Sequence, residues 1–248
     1  MLAFVPSAGA QMTAGQILAR VSDAYRGLKT YRIDATDTYT SQSAEAQTTT
    51  LLLAVDEGGK VRLERDDGKN KIIVVSNGDT TWTYSPAVRQ YSVSRSAAST
   101  VQGEHEDNAD DPVARTENLL VTRYRALDHF ADKAKLDGAQ SVKAKGQKIA
   151  CYVVEVQIDR VHIKVWVDQD RFLVLRQDQT DPSGVLSKLE IKQFSSAGPL
   201  GSDLFEFTPP ANARQVEALP GHGSSLVGKP ACDFKLKDTD GNEVTVAA

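Results

Sequence analysis

Cysteine is nearly absent: the 248 residues hold 2, Cys151 and Cys232. Two thiols build no disulfide framework, and neither belongs to a C-x-x-C pair or to a Cys/His cluster with zinc-ligand spacing. Cys151 falls in the apolar run Ile149-Ala150-Cys151-Tyr152-Val153-Val154, where a thiol behaves as a small hydrophobe. Long apolar runs are missing too, since no segment approaches the ~18 residues that cross a bilayer as a helix. Basic excess is missing: Lys and Arg number 29 against 33 Asp and Glu, a net charge of −4. Phosphate backbones require a basic field, so nucleic acid is excluded as a partner. Nucleophile machinery is also lacking. There is no G-x-S-x-G elbow, and His129, His162 and His222 have no Cys or Ser set beside them as a pair. Glu104–Asp111 reads as a solvated acidic loop and Asp238–Glu243 as a hairpin turn, so no metal and no cofactor is expected.

What the chain does have is β periodicity. The richest stretch is Ile72–Pro86, two strands joined at Asn77-Gly78, the pair that best tolerates the positive φ angles of a type I′ turn. Its second strand alternates Thr80, Trp82 and Tyr84 with Thr81, Thr83 and Ser85, giving an aromatic face that must be covered. Similar runs are expected near 31–41, 45–56, 60–66, 70–77, 80–85 and 88–95, then near 140–145, 148–158, 161–168, 171–180 and 185–195. The turns between them are too short for crossover helices, so the sheet is antiparallel, with about eleven strands.

Two segments carry helical spacing instead. Thr13-Ala14-Gly15-Gln16 is a capping box, followed by Ile17, Leu18, Val21, Ala24, Tyr25 and Leu28 at helical intervals. Val113, Leu119, Leu120, Tyr124, Leu127, Phe130 and Ala131 predict a second amphipathic helix over 113–134. The fold expected is therefore mainly β with capping helices: a curved antiparallel sheet forming a half-barrel, closed by two amphipathic helices. Trp82 and Tyr84 are expected beneath those helices.

Beyond 195 comes Asp203-Leu204-Phe205-Glu206-Phe207-Thr208-Pro209-Pro210, an aromatic anchor ending in an extended proline pair. The N-terminal residues 1–10 read as the remnant of a signal peptide, with an A-x-A-type end at Ala8-Gly9-Ala10, so an exported, periplasmic location is expected. Residues 218–227 read as a Pro/Gly/Ser linker.

Three features together, the Asn77-Gly78 hairpin with Trp82-x-Tyr84-x-Pro86, the Asp203–Pro210 closure and the helix–six strands–helix–five strands order, resemble the LolA/LolB-like superfamily of outer-membrane lipoprotein carriers and sorting proteins. The resemblance covers residues 11–217. It implies a half-barrel whose apolar interior holds the acyl chain of a lipid or lipoprotein, without catalysis, in a monomer that also meets an envelope protein. It implies cavity positions at Trp82, Tyr84, Leu119, Leu120, Tyr124 and Leu127. The chain departs from the carrier at Asp56-Glu57-Gly58-Gly59, where the carrier has an Arg-Pro turn whose Arg fastens the lid. Separately, Leu226–Val244 resembles the opening hairpin of redoxin (thioredoxin-fold, peroxiredoxin and thiol-disulfide oxidoreductase) domains, with Cys232 where that group usually has Pro. Residues 228–248 are accordingly expected to be the truncated start of such a domain. The alternative role is then that of accessory domain to a redox enzyme whose reactive cysteine lies further on.

Overall fold

The computed structural model describes residues 12–41, 44–95, 111–196, 198–219, 234–237 and 243–246. Helix α1 spans Ala14–Arg26. Its capping box is formed in both directions: Thr13 Oγ1 accepts from the Gln16 amide, and Gln16 Oε1 accepts from the Thr13 amide at 2.9 Å. Two of the helix's first amides are thereby satisfied, which fixes where the helix starts.

Six strands follow: β1 (Tyr31–Ser41), β2 (Ala44–Asp56), β3 (Lys60–Asp66), β4 (Lys71–Asn77), β5 (Thr80–Ser85) and β6 (Gln90–Arg95). Helix α2 (Pro112–Leu120) and a 3₁₀ segment (Thr122–Lys133) lead into β7 (Ala134–Ala144), β8 (Gln147–Ile158), β9 (Val161–Asp168), β10 (Val174–Thr180) and β11 (Leu186–Ser195). These strands and the two-residue β12 (Arg214–Gln215) form one curved sheet of 12 strands, in the order β12-β6-β5-β4-β3-β2-β1-β11-β10-β9-β8-β7. All pairs are antiparallel except β12 on β6. The sheet is open, with β12 at one edge and β7 at the other.

Register separates its two faces, because residues paired across an antiparallel ladder share a face. Ile33, Leu53, Leu63 and Val74 are successive partners across β1–β4 and line the concave face. Ile17, Leu18, Val21 and Tyr25 of α1 are fully buried in the core with Ile33 and Leu53, together with Leu120, Val121, Tyr124 and Leu127. The opposite face carries Arg32, Asp34, Arg62, Glu64, Val75 and Trp82.

Three expectations are corrected. The second helix is not continuous: it breaks at Val121 (φ −136°, ψ −60°) and continues as 3₁₀ turns, with non-helical angles again at Ala126 and Phe130. The β-branched pair Val121-Thr122 loses side-chain freedom in a helix, so nothing local holds one there. Strand β7 begins at 134 instead of 140, because the register shift between Leu136 and Ala139, with Gly138 at φ +102°, interrupts the period-two signal. A twelfth strand is added by the segment after Pro210, too short to show any period.

Residues 1–10, expected to be a signal remnant, most of 218–227, expected to be a linker, most of the expected acidic loop Glu104–Asp111, and Cys232 lie outside the described residues. In the C-terminal segment, Phe234–Lys237 (β13) pairs antiparallel with Glu243–Val246 (β14).

Candidate functional site

The candidate site is the helical layer over the concave face. Its apolar part follows from the spacing that predicted it: Leu120, Tyr124 and Leu127 are buried against the sheet, and Leu119 packs at the margin of the same core. Tyr25 and Tyr124 lie ring to ring at 4.9 Å, with Phe194 of β11 edge-on to Tyr25 at 6.0 Å. The layer is therefore filled by its own side chains in this conformation.

Polar contacts fasten it at specific points. Tyr124 donates its hydroxyl proton to Gln177 Oε1 of β10 at 3.0 Å. Tyr31 donates to Glu117 Oε1 at 3.0 Å, which anchors α2 on β1. The Asp128 amide donates to Ser22 Oγ at 2.9 Å, and Arg26 Nη2 donates to Asp128 Oδ2 at 2.7 Å, joining the 3₁₀ segment to α1. Burial raises the phenol pKa of Tyr31, Tyr124 and Tyr25 well above its ordinary value, so all three act as neutral hydroxyls. The hydrogen bond from Arg26 holds the Asp128 carboxyl below the usual carboxylate range. Arg125 lies 3.8 Å from Glu117, a distant pair. Among the described residues, Arg125 Nε and Asp128 Oδ1 are buried without a partner, so this fastening is not saturated.

The turn at Asp56–Gly59 takes no part in these contacts; Asp56 instead accepts from Thr30 Oγ1 at 2.8 Å. The Arg–carboxylate contact to the 3₁₀ segment comes instead from Arg26, on α1. Sequence reasoning missed Arg26, Glu117 and Asp128. No short-range pattern marks them, since Arg26 and Asp128 are 102 positions apart.

Trp82 and Tyr84 are elsewhere. Register places both on the face opposite the helices, paired with Val75 and Ile73. Their cover is Phe207, whose ring lies 6.3 Å from Trp82, 5.8 Å from Tyr84 and 6.1 Å from Tyr91. The expectation of helices above them is corrected: the closing segment lies there. Phe205 is buried beside it, and Arg62 donates to the Leu204 carbonyl at 3.3 Å. The structure thus brings together Leu119, Leu120, Tyr124 and Leu127, and separates Trp82 and Tyr84 from them.

Two grooves lie outside the apolar layer. One, about 280 Å³, crosses the outer face between Asp34, Glu64, Asp66, Lys71 and Lys192. Its charges are already engaged: Arg32 meets Asp34, Glu64 meets Arg62 and Lys71, and Lys192 meets Glu190. The other, about 680 Å³, lies at the C-terminal end of α1, against Asp23, Lys29, Asp56, Glu57 and Pro199. Cys151 is buried, and burial lifts its thiol to about 11, which removes it from thiolate chemistry at neutral pH. Among the described residues no cluster of three or more His, Cys, Asp or Glu could hold a metal ion.

An open, curved β-sheet with a helical layer on its concave face defines the class of fold. Residues 14–219 match the family described as "Predicted periplasmic protein (DUF2092)", and the chain belongs to that family. The protein is periplasmic, and no helix among the described residues is long and apolar enough to cross a membrane. No curated protein matches the chain. Among solved structures it is similar to MucB (17% identity, 94% of this chain and 90% of that one, TM-score 0.47). It is also similar to LprF from Mycobacterium bovis (14% identity, 81% and 97%, TM-score 0.42). A third is the LolA superfamily protein NE2245 from Nitrosomonas europaea (14% identity, 79% and 99%, TM-score 0.33). Likenesses this loose say nothing about what the chain binds. The family match ends before the tail, and no comparison bears on its likeness to redoxins.

Proposed function

We propose that this protein is a non-catalytic periplasmic module that takes up the acyl chain of a lipid or lipoprotein between its sheet and its helical layer. One observation carries the reading: the apolar concave face is covered by a segment broken at Val121, Ala126 and Phe130, and fastened by a few separate polar contacts. A layer of short turns lifts at lower cost than one continuous packed helix, because each break is a ready hinge. Lifting it would expose Leu119, Leu120, Tyr124 and Leu127 on one side and Ile33 and Leu53 on the other, an apolar slot suited to a hydrocarbon tail. Native mass spectrometry of detergent-free material, with titration of a fluorescent fatty acid, tests this. Co-purified lipid and saturable binding are expected; neither bound lipid nor probe binding would overturn it.

A second reading, an accessory domain beside a thiol- or peroxide-reducing domain, draws on the antiparallel pairing of Phe234–Lys237 with Glu243–Val246. The reading frame downstream of Ala248 tests it. A dithiol or peroxidatic cysteine motif there is expected, and its absence would remove the idea.

A further inference from the structure

The β7–β8 hairpin has an arrangement that internal packing does not explain. Its register sets Lys143 directly opposite Lys148. Like charges directly opposed across a ladder destabilise it. Both lysines are exposed, and neither has an ion-pair partner among the described residues. Lys145, at the tip between them, is exposed and held at φ +50°.

The alternation of β8 puts Lys148, Ala150 and Tyr152 on one face. Tyr152 is half-buried and stacks on Phe172 of the β9–β10 turn, ring centroids 6.5 Å apart and planes at 22°. Phe172 is itself half-buried, with φ +55°, a left-handed conformation that a bulky side chain rarely adopts. The Arg20 guanidinium of α1 lies 5.4 Å over the Phe172 ring. The turn is tied to β8 by the Gln169 amide donating to the Ala150 carbonyl. Its buried acid, Asp168, is taken up by Arg171 and by the turn amides; Asp170 stays exposed in the same turn.

We propose that this face, two half-exposed aromatic rings with Arg20 over one of them and Lys143, Lys145 and Lys148 at the hairpin end of the same strands, docks the protein on the surface of an anionic phospholipid bilayer. Rings with an apolar body and a wet edge, flanked by long cationic side chains, match the headgroup boundary of a membrane. Flexible lysines spread over about 14 Å from the hairpin to Tyr152 suit a diffuse layer of anionic headgroups rather than one shaped ligand. The cationic character of this face stands against a net charge of −4 for the whole chain. Anionic headgroups would also relieve the opposition of Lys143 and Lys148. Tyr152 and Phe172 pack on the core that α1 covers, so docking would bring the proposed acyl site next to its lipid source. Docking itself does not depend on that site.

Sedimentation of the full chain with vesicles tests the proposal, comparing phosphatidylcholine alone with phosphatidylcholine containing phosphatidylglycerol. The protein should pellet with the anionic vesicles only, and less so as salt shortens the Debye length to about 8 Å. Replacing both lysines (Lys143→Glu with Lys148→Glu) should lower partitioning roughly tenfold or more. Phe172→Ser should lower it as well, while Lys69→Glu, in the β3–β4 turn, should not. Far-UV circular dichroism checks that each variant is folded, and unchanged fatty-acid binding by the lysine variant would separate docking from acyl uptake. Equal pelleting with both vesicle types, no pelleting with either, or a lysine variant that behaves like Lys69→Glu would overturn it.

Discussion

At the scale of single residues, the most consequential hydroxyl is that of Tyr25. It accepts the Val174 amide at 3.2 Å, beside the point where the β9–β10 ladder shifts register. Tyr25→Phe would remove this hydrogen bond inside the core, and a loss of about 1 kcal/mol is expected in urea unfolding. Asp37 makes the opposite case. Burial raises its carboxyl pKa, against the opposing influence of the Ser187 hydrogen bond and of Arg123 and Arg65. For an acid whose folded pKa is raised, stability is greatest below its ordinary range near 4 and falls as pH rises through the folded value. Asp37→Asn should therefore be more stable than the parent at neutral pH, and the difference should vanish on acidification. Paired thermal melts across pH check this, and a constant difference would contradict it.

At the scale of elements, the Asn77-Gly78 hairpin shows local and distant constraints meeting at one position. Asn77 Oδ1 accepts the amides of Asp79 and Thr80, which shapes the turn. Gly78 has φ +102°, and a Cβ there would lie 2.6 Å from the Gly58 carbonyl oxygen of the neighbouring β2–β3 turn. Gly68 has φ +82° and nothing within 4 Å of its virtual Cβ. Gly68→Ala should thus cost only the left-handed strain, about 1–2 kcal/mol, and Gly78→Ala measurably more. Equal losses in chemical denaturation would show that the β2–β3 turn yields freely. The closing segment offers a second element-scale test. Phe207→Ala should expose Trp82 and shift tryptophan emission to the red. It should leave fatty-acid affinity unchanged, since Phe207 and Trp82 lie on the face opposite the helices.

At the scale of the whole molecule, the proposed acyl uptake turns on whether the 3₁₀ segment can lift away from α1 and the sheet. Ser22 and Asp128 are joined by a hydrogen bond between α1 and the 3₁₀ segment, so paired substitution by cysteine places a tether across the layer. Ser22→Cys with Asp128→Cys should abolish fatty-acid uptake when oxidised and regain it in dithiothreitol. Full binding by the oxidised form would mean that the chain does not enter there. The open sheet also leaves edges, which its own sequence blunts: the Gly138 bulge and the exposed Lys135 and Lys143 interrupt β7, and β12 covers the start of β6.

Periodicity and capping were enough to read α1, most strand positions and the apolar residues of the second helical segment that pack on the sheet, because burying one face of a strand or helix leaves a repeat of two or about 3.6 in the residues themselves. Residue type also made the hairpin at Asn77-Gly78 visible, but not its turn: the loop is Gly78-Asp79 with positive φ at Gly78 and not at Asn77, so the expected type I′ turn on Asn77-Gly78 is corrected. Periodicity gives each strand two faces and says nothing about which of them the helices will cover. That was decided by tertiary register, which turned Trp82 and Tyr84 away from the helices and under Phe207. The Arg26–Asp128 fastening, the Gly78–Gly58 approach and the placing of Arg20 over Phe172 likewise join residues well apart in sequence. They exist only once the sheet has curved and its turns have been brought side by side.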